Sequence, residues 1–173
     1  MLMQLFRRWS LQRRLARRLP DLEHVHRIVV MCTANRVRSP FAGMYLARRL
    51  QERVNVISRG VMESGIGCPS EAIEAAALHG LDLSRHRAQP VTVPELLGAD
   101  LVLTMELRMA HELSVLYPAV ERVIVPLGYF DEARRIDDVA DPFMLPSTEY
   151  VMAYDTIARC CDGLLHRMAD SRT

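Results

Sequence analysis

Short β-branched runs alternate along this chain with longer stretches whose apolar residues fall at helical spacing. Residues 27–32 (RIVVMC), 54–58 (VNVIS), 100–104 (DLVLT) and 122–127 (RVIVPL) have the length and residue types of buried strands. Between and after them, residues 39–51, 70–79, 105–116 and 147–168 carry the helical pattern, and residues 94–98 suit a single turn. The punctuation agrees. Pro40 suits the first position of a helix, Ser70 an N-cap and Gly80 a stop, and Ser147, Thr148 and Glu149 offer a capping pattern for the last helix. Residues 131–141 read as a polar loop. Strands that alternate with helices predict an α/β fold: a four-stranded parallel sheet between two helical layers. Ligand sites in such sheets sit at the carboxyl ends of the strands.

Length and charge divide the chain unevenly. Its 173 residues suit one domain, with half of them hydrophobic and a quarter charged. All 22 basic residues are arginine, which excludes Schiff-base and Walker-lysine chemistry. Residues 1–20 carry +6 and the remainder −5. The domain is therefore expected over residues 27–173, behind a basic, amphipathic extension over residues 1–26. An acidic body argues against nucleic acid as a partner. The extension suits contact with an anionic membrane surface through residues 1–20, or packing on its own domain. It has no apolar signal core, and no apolar run reaches the length of a membrane span, so a cytoplasmic location is expected. Cys32, Cys68, Cys160 and Cys161 form no CxxC pair, which suits a reducing compartment with work for one thiol. The histidines show no metal-ligand spacing. No metal or other cofactor is implied.

The chemistry concentrates in residues 32–40, MCTANRVRSP read from its cysteine. Cys32 ends a strand, and Arg38, Ser39 and Pro40 open a helix. The connection is short enough to curl the N–H groups of Thr33, Ala34, Asn35, Arg36 and Val37 around an anion. The helix end adds free donors and the positive end of its dipole. That field favours a thiolate at Cys32, a stronger nucleophile than the thiol. Arg38 offers a planar fork for two phosphate oxygens. Ser39 is placed to donate to the sulfur, and Asn35 tolerates the left-handed backbone a tight loop needs. Far downstream, Asp141 before Pro142 and Phe143 supplies an acid and then a base, with Phe143 to wall an aromatic leaving group. Asp137 and Asp138 are rival acids. Arg36 and Arg59 add positive charge at the mouth, which suits acidic phosphopeptides or is solvated surface.

Together these segments resemble the low-molecular-weight protein-tyrosine phosphatases over residues 27–168. The C-x5-R-S hallmark reads Cys32 to Ser39, and the D-P-aromatic hallmark reads Asp141, Pro142, Phe143. Residues 57–60 look like the family's serine-glycine turn, which brings in Ser58. Residues 86–88 resemble a segment whose histidine, here His86, braces the phosphate loop through the asparagine. The resemblance implies metal-free hydrolysis of a phosphomonoester through a phosphocysteine on Cys32, with Arg38 as clamp and Asp141 as acid then base. It implies a phosphotyrosine protein or small aryl phosphate as substrate, and tyrosine kinases of polysaccharide export as bacterial partners.

The chain departs from the family at several points. Ala34 replaces a usual glycine, Val37 a frequent second cysteine and Arg36 a commonly apolar residue. Glu106 replaces a frequent aspartate, and Met144 stands where some members carry tyrosine. The alternatives are an arsenate reductase of the same fold and a non-catalytic phosphate-binding module. The first needs two further cysteines near mid-chain, and residues 79–107 contain none. The second is at odds with the presence of nucleophile, clamp and acid together. None of the other three cysteines is expected within bridging reach of Cys32.

Overall fold

The computed structural model describes residues 19–62, 65–132, 136 and 138–171. Residues 1–18 of the basic extension expected over residues 1–26, and the rival acid Asp137, lie outside the described residues. Strands β1 (Arg27–Cys32), β2 (Asn55–Gly60), β3 (Leu101–Thr104) and β4 (Ile124–Pro126) form one sheet in the order β2-β1-β3-β4, and every pair is parallel. Helices α1 (Arg38–Leu50), α2 (Ser70–Ala77), α3 (Val93–Leu97), α4 (Leu107–Leu116) and α5 (Ser147–Asp170) cover it. The expected α/β architecture is the observed one.

Burial explains the strand residues. Ile28 to Met31 and Leu101 to Leu103 are fully shielded, so both sheet faces need apolar side chains rather than an alternating pattern. On one side α1 packs against β2 and α5, and α2 against α5. Phe41 of α1 stacks on Tyr154 of α5 with centroids 4.0 Å apart. On the edge strand, β4 meets α4. At the start of β1 the Asp100 carboxylate accepts from the N–H groups of His26 and Arg27, tying β1 to the entry of β3.

Element boundaries differ from the sequence reading where caps decide them. α1 starts at Arg38, which leaves Pro40 as its third residue; the missing N–H costs nothing there, because the first turn has no intrahelical acceptors. Ser70 and Ser147 are first helical residues rather than caps; Pro69 and Pro146 hold the cap positions in extended backbone. α3 carries a full capping box between Thr92 and Glu95. β2 runs on to Gly60, so residues 57–60 are strand and not a turn. Residues 118–123 form a 3-10 helix, which shortens β4.

The sheet order sets the site. From β1 the chain moves outward to β2, then returns past β1 to β3. The carboxyl end of β1 therefore faces the crevice where the strand order reverses. Cys32 is the last residue of β1.

Candidate active site

Residues 33–37 join β1 to α1 in one tight loop. Asn35 adopts φ +51°, the left-handed conformation its short amide side chain tolerates. That side chain is fully buried and holds the loop from inside. Its Nδ2 donates to Ser39 Oγ at 2.9 Å and to Ser58 Oγ at 3.2 Å, and its Oδ1 accepts from Gln89 N at 3.0 Å. These partners leave one orientation for the amide. His86 Nε2 lies 2.8 Å from Asn35 O, so its proton sits on Nε2 and points at the carbonyl. Burial, reinforced by Arg59 and Arg87, lowers the pKa of His86, against a smaller opposing effect of the Asn35 bond. The brace is thus the neutral imidazole.

Gly60 has a steric duty that a turn would not impose. A β-carbon there would sit 2.9 Å from Thr33 O and 3.0 Å from Asn35 N, so the strand and the loop approach closely only without a side chain. Val61 N and Met62 N both donate to Thr33 O. From the far side Tyr154 Oη donates to Val37 O at 3.1 Å. The loop is held by residues from β2, the segment before α3, and α5.

Cys32 Sγ lies 3.0 Å from Ser39 Oγ. The Ser39 oxygen already accepts from Asn35, so its proton goes either to the sulfur or to Arg59 O at 3.3 Å. A thiolate at Cys32 selects the first arrangement. A thiol donating to Ser39 selects the second. The remaining thiols have no such company. Burial pushes Cys68 up to about 11 and Cys160 up to about 12, and raises fully buried Cys161 well above the usual range. All four cysteines are unpaired.

Arg38 is 2 % exposed and ends in the same crevice. Its NH1 donates to Glu106 Oε1 at 2.9 Å and to Val139 O at 3.0 Å, and its NH2 donates to Asp141 Oδ2 at 2.6 Å. Its Nε is buried and has no acceptor among the described residues. Asp141 is 44 % exposed, and its Oδ1 accepts from Phe143 N. Asp138, the described rival acid, is committed elsewhere: its Oδ1 accepts from Leu107 N at the start of α4. Arg36 lies over the Phe143 ring, 5.2 Å from the centroid, while its Nε donates to Gly67 O. Arg59 turns away from the mouth and forms a two-pronged pair with Glu95. Arg36 is thus the one of the two that stands at the mouth.

A cavity of about 590 Å³ is lined by Cys32, Thr33, Ala34, Arg36, Val37, Arg38, Asp141 and Phe143, with Glu106 and Arg108 at its edge. Ser39, Ser58, Asn35 and His86 stand behind it as supports. Sequence reading did not find the contributions of Gln89, Val139 and Tyr154. The first two act through backbone atoms, which leave no mark in residue type.

The family described as low molecular weight phosphotyrosine protein phosphatase matches residues 27–173. This chain belongs to that family. It is 34% identical over 142 residues to a probable low molecular weight protein-tyrosine-phosphatase, EpsP, of Ralstonia nicotianae, covering 82% of this chain and 94% of that one. Among solved structures it resembles the low molecular weight protein tyrosine phosphatase of T. tengcongensis, with a TM-score of 0.74 at 30% identity over 82% and 99% of the two chains. It also resembles the YwlE arginine phosphatase of Geobacillus stearothermophilus, with a TM-score of 0.76 at 26% identity over 84% and 94%. Membership makes the chain a phosphatase of this family, in keeping with the order of its hallmark segments.

Proposed function

We propose that this protein hydrolyses phosphotyrosine in proteins through a phosphocysteine on Cys32. One observation carries the reading: a buried arginine fork with an unpaired Nε shares a cavity with a thiol at the mouth of a backbone nest. An unpaired buried donor costs about 1–3 kcal/mol, and a phosphate oxygen there would satisfy it. Arg38 would then offer Nε and NH2 side by side to two oxygens.

The steps follow from the neighbours. The phosphate enters the nest, and Arg38 NH2 exchanges its bond to Asp141 for one to a phosphate oxygen. The Cys32 thiolate attacks phosphorus, and the bond from phosphorus to the tyrosyl oxygen breaks. Asp141, released and protonated, gives its proton to that oxygen. A water then attacks the phosphocysteine while Asp141 takes a proton from it. The sulfur leaves as thiolate, eased by the Ser39 hydroxyl, and inorganic phosphate remains in the nest. Glu106 and Val139 O keep NH1 in place throughout.

Tyrosine is favoured over arginine by the mouth. Arg36 and Phe143 both line the mouth that the leaving group occupies. A phenyl ring meets an aromatic face and the edge of a guanidinium, whereas a second guanidinium meets like charge. The same Arg36 favours acidic phosphopeptides. Small aryl phosphates fit the same cavity. By resemblance the protein partner is a bacterial tyrosine kinase of polysaccharide export. No helix among the described residues is long and apolar enough to cross a membrane. A cytoplasmic setting is supported by four unpaired thiols.

The test is hydrolysis of p-nitrophenyl phosphate and of a phosphotyrosyl peptide without added metal. Cys32→Ser should lose about 10⁴-fold or more in kcat while still binding inorganic phosphate. Substantial turnover by this variant would remove Cys32 from the mechanism.

A further inference from the structure

Beside the catalytic cavity lies a smaller one of about 200 Å³. The two share Thr33, Glu106 and Arg108 as a common wall. Beyond that wall the small cavity turns apolar. Met109, Leu113 and Leu116 line it from one face of α4, and Val61 lines it from the loop after β2. Met109 and Leu113 are buried and form its floor, while Val61 and Leu116 are 50% and 69% exposed and form its lip. The chemistry proposed for the catalytic cavity uses none of these four side chains.

The wall is held in place. Thr33 O accepts from both Val61 N at 2.9 Å and Met62 N at 3.2 Å, so backbone bonds join the loop after Cys32 directly to the lip. At the rim Arg108 and Glu112 face each other at 3.5 Å and leave no strong field of either sign. An apolar floor inside a polar rim is the make-up of a contact centre rather than of ordinary surface.

We propose that this second cavity is a specificity subsite that takes one apolar side chain of the substrate polypeptide, close in sequence to the phosphotyrosine. The proposal rests on the phosphotyrosyl reading of the first cavity. The occupant follows from continuity. Whatever places a phosphotyrosine in the nest must run its own chain outward across a wall of the cavity, and the shared Thr33 wall leads into the small one. The space suits a single leucine- or methionine-sized side chain. A substrate with such a residue at the matching position gains affinity before chemistry begins. The gain therefore appears in KM rather than in kcat.

The experiment uses the full-length protein, p-nitrophenyl phosphate, and phosphotyrosyl peptides of equal length. The peptides differ only in whether leucine or serine stands at each position flanking the phosphotyrosine. One position should show a leucine preference of roughly tenfold in kcat/KM, carried by KM, as expected for one side chain in an apolar pocket. Leu116→Glu, at the exposed end of α4, should reduce that preference to near unity and leave p-nitrophenyl phosphate turnover unchanged. Val61→Ser should reduce it in the same direction from the other side of the lip. Equal kcat/KM for leucine and serine at every position overturns the subsite while the phosphatase reading stands. So does a preference that survives both variants. Turnover of p-nitrophenyl phosphate without turnover of any phosphotyrosyl peptide sinks the tyrosyl reading and the subsite with it.

Discussion

The two halves of the catalytic cavity are built on opposite terms. Residues 32–39 form a loop whose supports come from three other parts of the chain, and whose Asn35, Arg38 and Ser39 are almost wholly buried. Asp141 stands in a loop between β4 and α5, with a side chain 44 % exposed. It is held by the Arg38 fork and by one bond from Phe143 within its own turn. The difference follows the chemistry. An anion nest works by fixed donors that need no reorganisation when the charge arrives. A proton carrier must meet a leaving group in one step and a water in the next, so it is better kept at the solvent edge.

Variants of the two halves should separate these roles. The largest effect is expected at the fixed half. Arg38→Lys should be nearly as damaging as Arg38→Ala, because an ammonium cannot span two phosphate oxygens or keep the bonds to Glu106 and Val139 O. Near-normal kcat/KM in the lysine variant would reduce Arg38 to a point charge. Asp141→Asn should slow aryl phosphates by about 10²–10⁴-fold, with the loss shrinking for leaving groups that need no proton. A larger loss from Asp137→Asn or Asp138→Asn would mean that another carboxylate carries the proton.

Asn35→Ala removes the three side-chain hydrogen bonds to Ser39, Ser58 and Gln89 that hold the loop. It should lower stability by about 1–3 kcal/mol and reduce kcat/KM, both visible by thermal unfolding beside a kinetic assay. An unchanged Tm would show that the amide is not what shapes the loop. The smallest effect concerns pH. Burial holds the pKa of His86 below its ordinary value of 6.5. The unfolded chain therefore takes up a proton there more readily than the folded one. The contribution of His86 to stability is complete above 6.5, declines as the pH falls below it, and is lost once the pH has passed the folded value. His86→Gln, which keeps a donor for Asn35 O, should flatten the fall of Tm over that acid window. An identical slope in both proteins would place the acid sensitivity elsewhere.

How far the sequence predicts this molecule depends on whether a feature is written in side chains. β1 and β3 are readable because burial on both faces demands unbroken apolar runs. The expected starts of α2 and α5 at residues 70 and 147 are the observed ones, although Pro69 and Pro146 rather than serines hold the cap positions, and α1 begins one residue before its expected start, at Arg38. Around the cavity, Cys32, Asn35 and Arg38 stand out by spacing and residue type, whereas spacing alone leaves Asp141 beside the rivals Asp137 and Asp138. Gly60 does not stand out: its reason is the backbone of Thr33 and Asn35, more than twenty positions away. Val139 and Gln89 act through a carbonyl and an amide that every residue possesses. Arg59, for which the sequence left the mouth and solvated surface open, instead pairs with Glu95, a partner that sequence distance conceals.

The bond from Tyr154 to Val37 carries a further meaning for how the protein is made. The nest is among the first parts of the domain to be synthesised, yet one of its supports lies 117 residues later, in α5. Phe41, at the start of the same helix as Arg38, also waits for Tyr154 to cover its ring. Contacts of such separation form late, after the intervening chain has collapsed. A nascent chain that stops short of α5 therefore has its cysteine and arginine but lacks these two supports for the loop between them. Translation would thus keep the thiol without its finished nest for nearly the whole time the chain is being made, and activity would appear only once the last helix is free to dock.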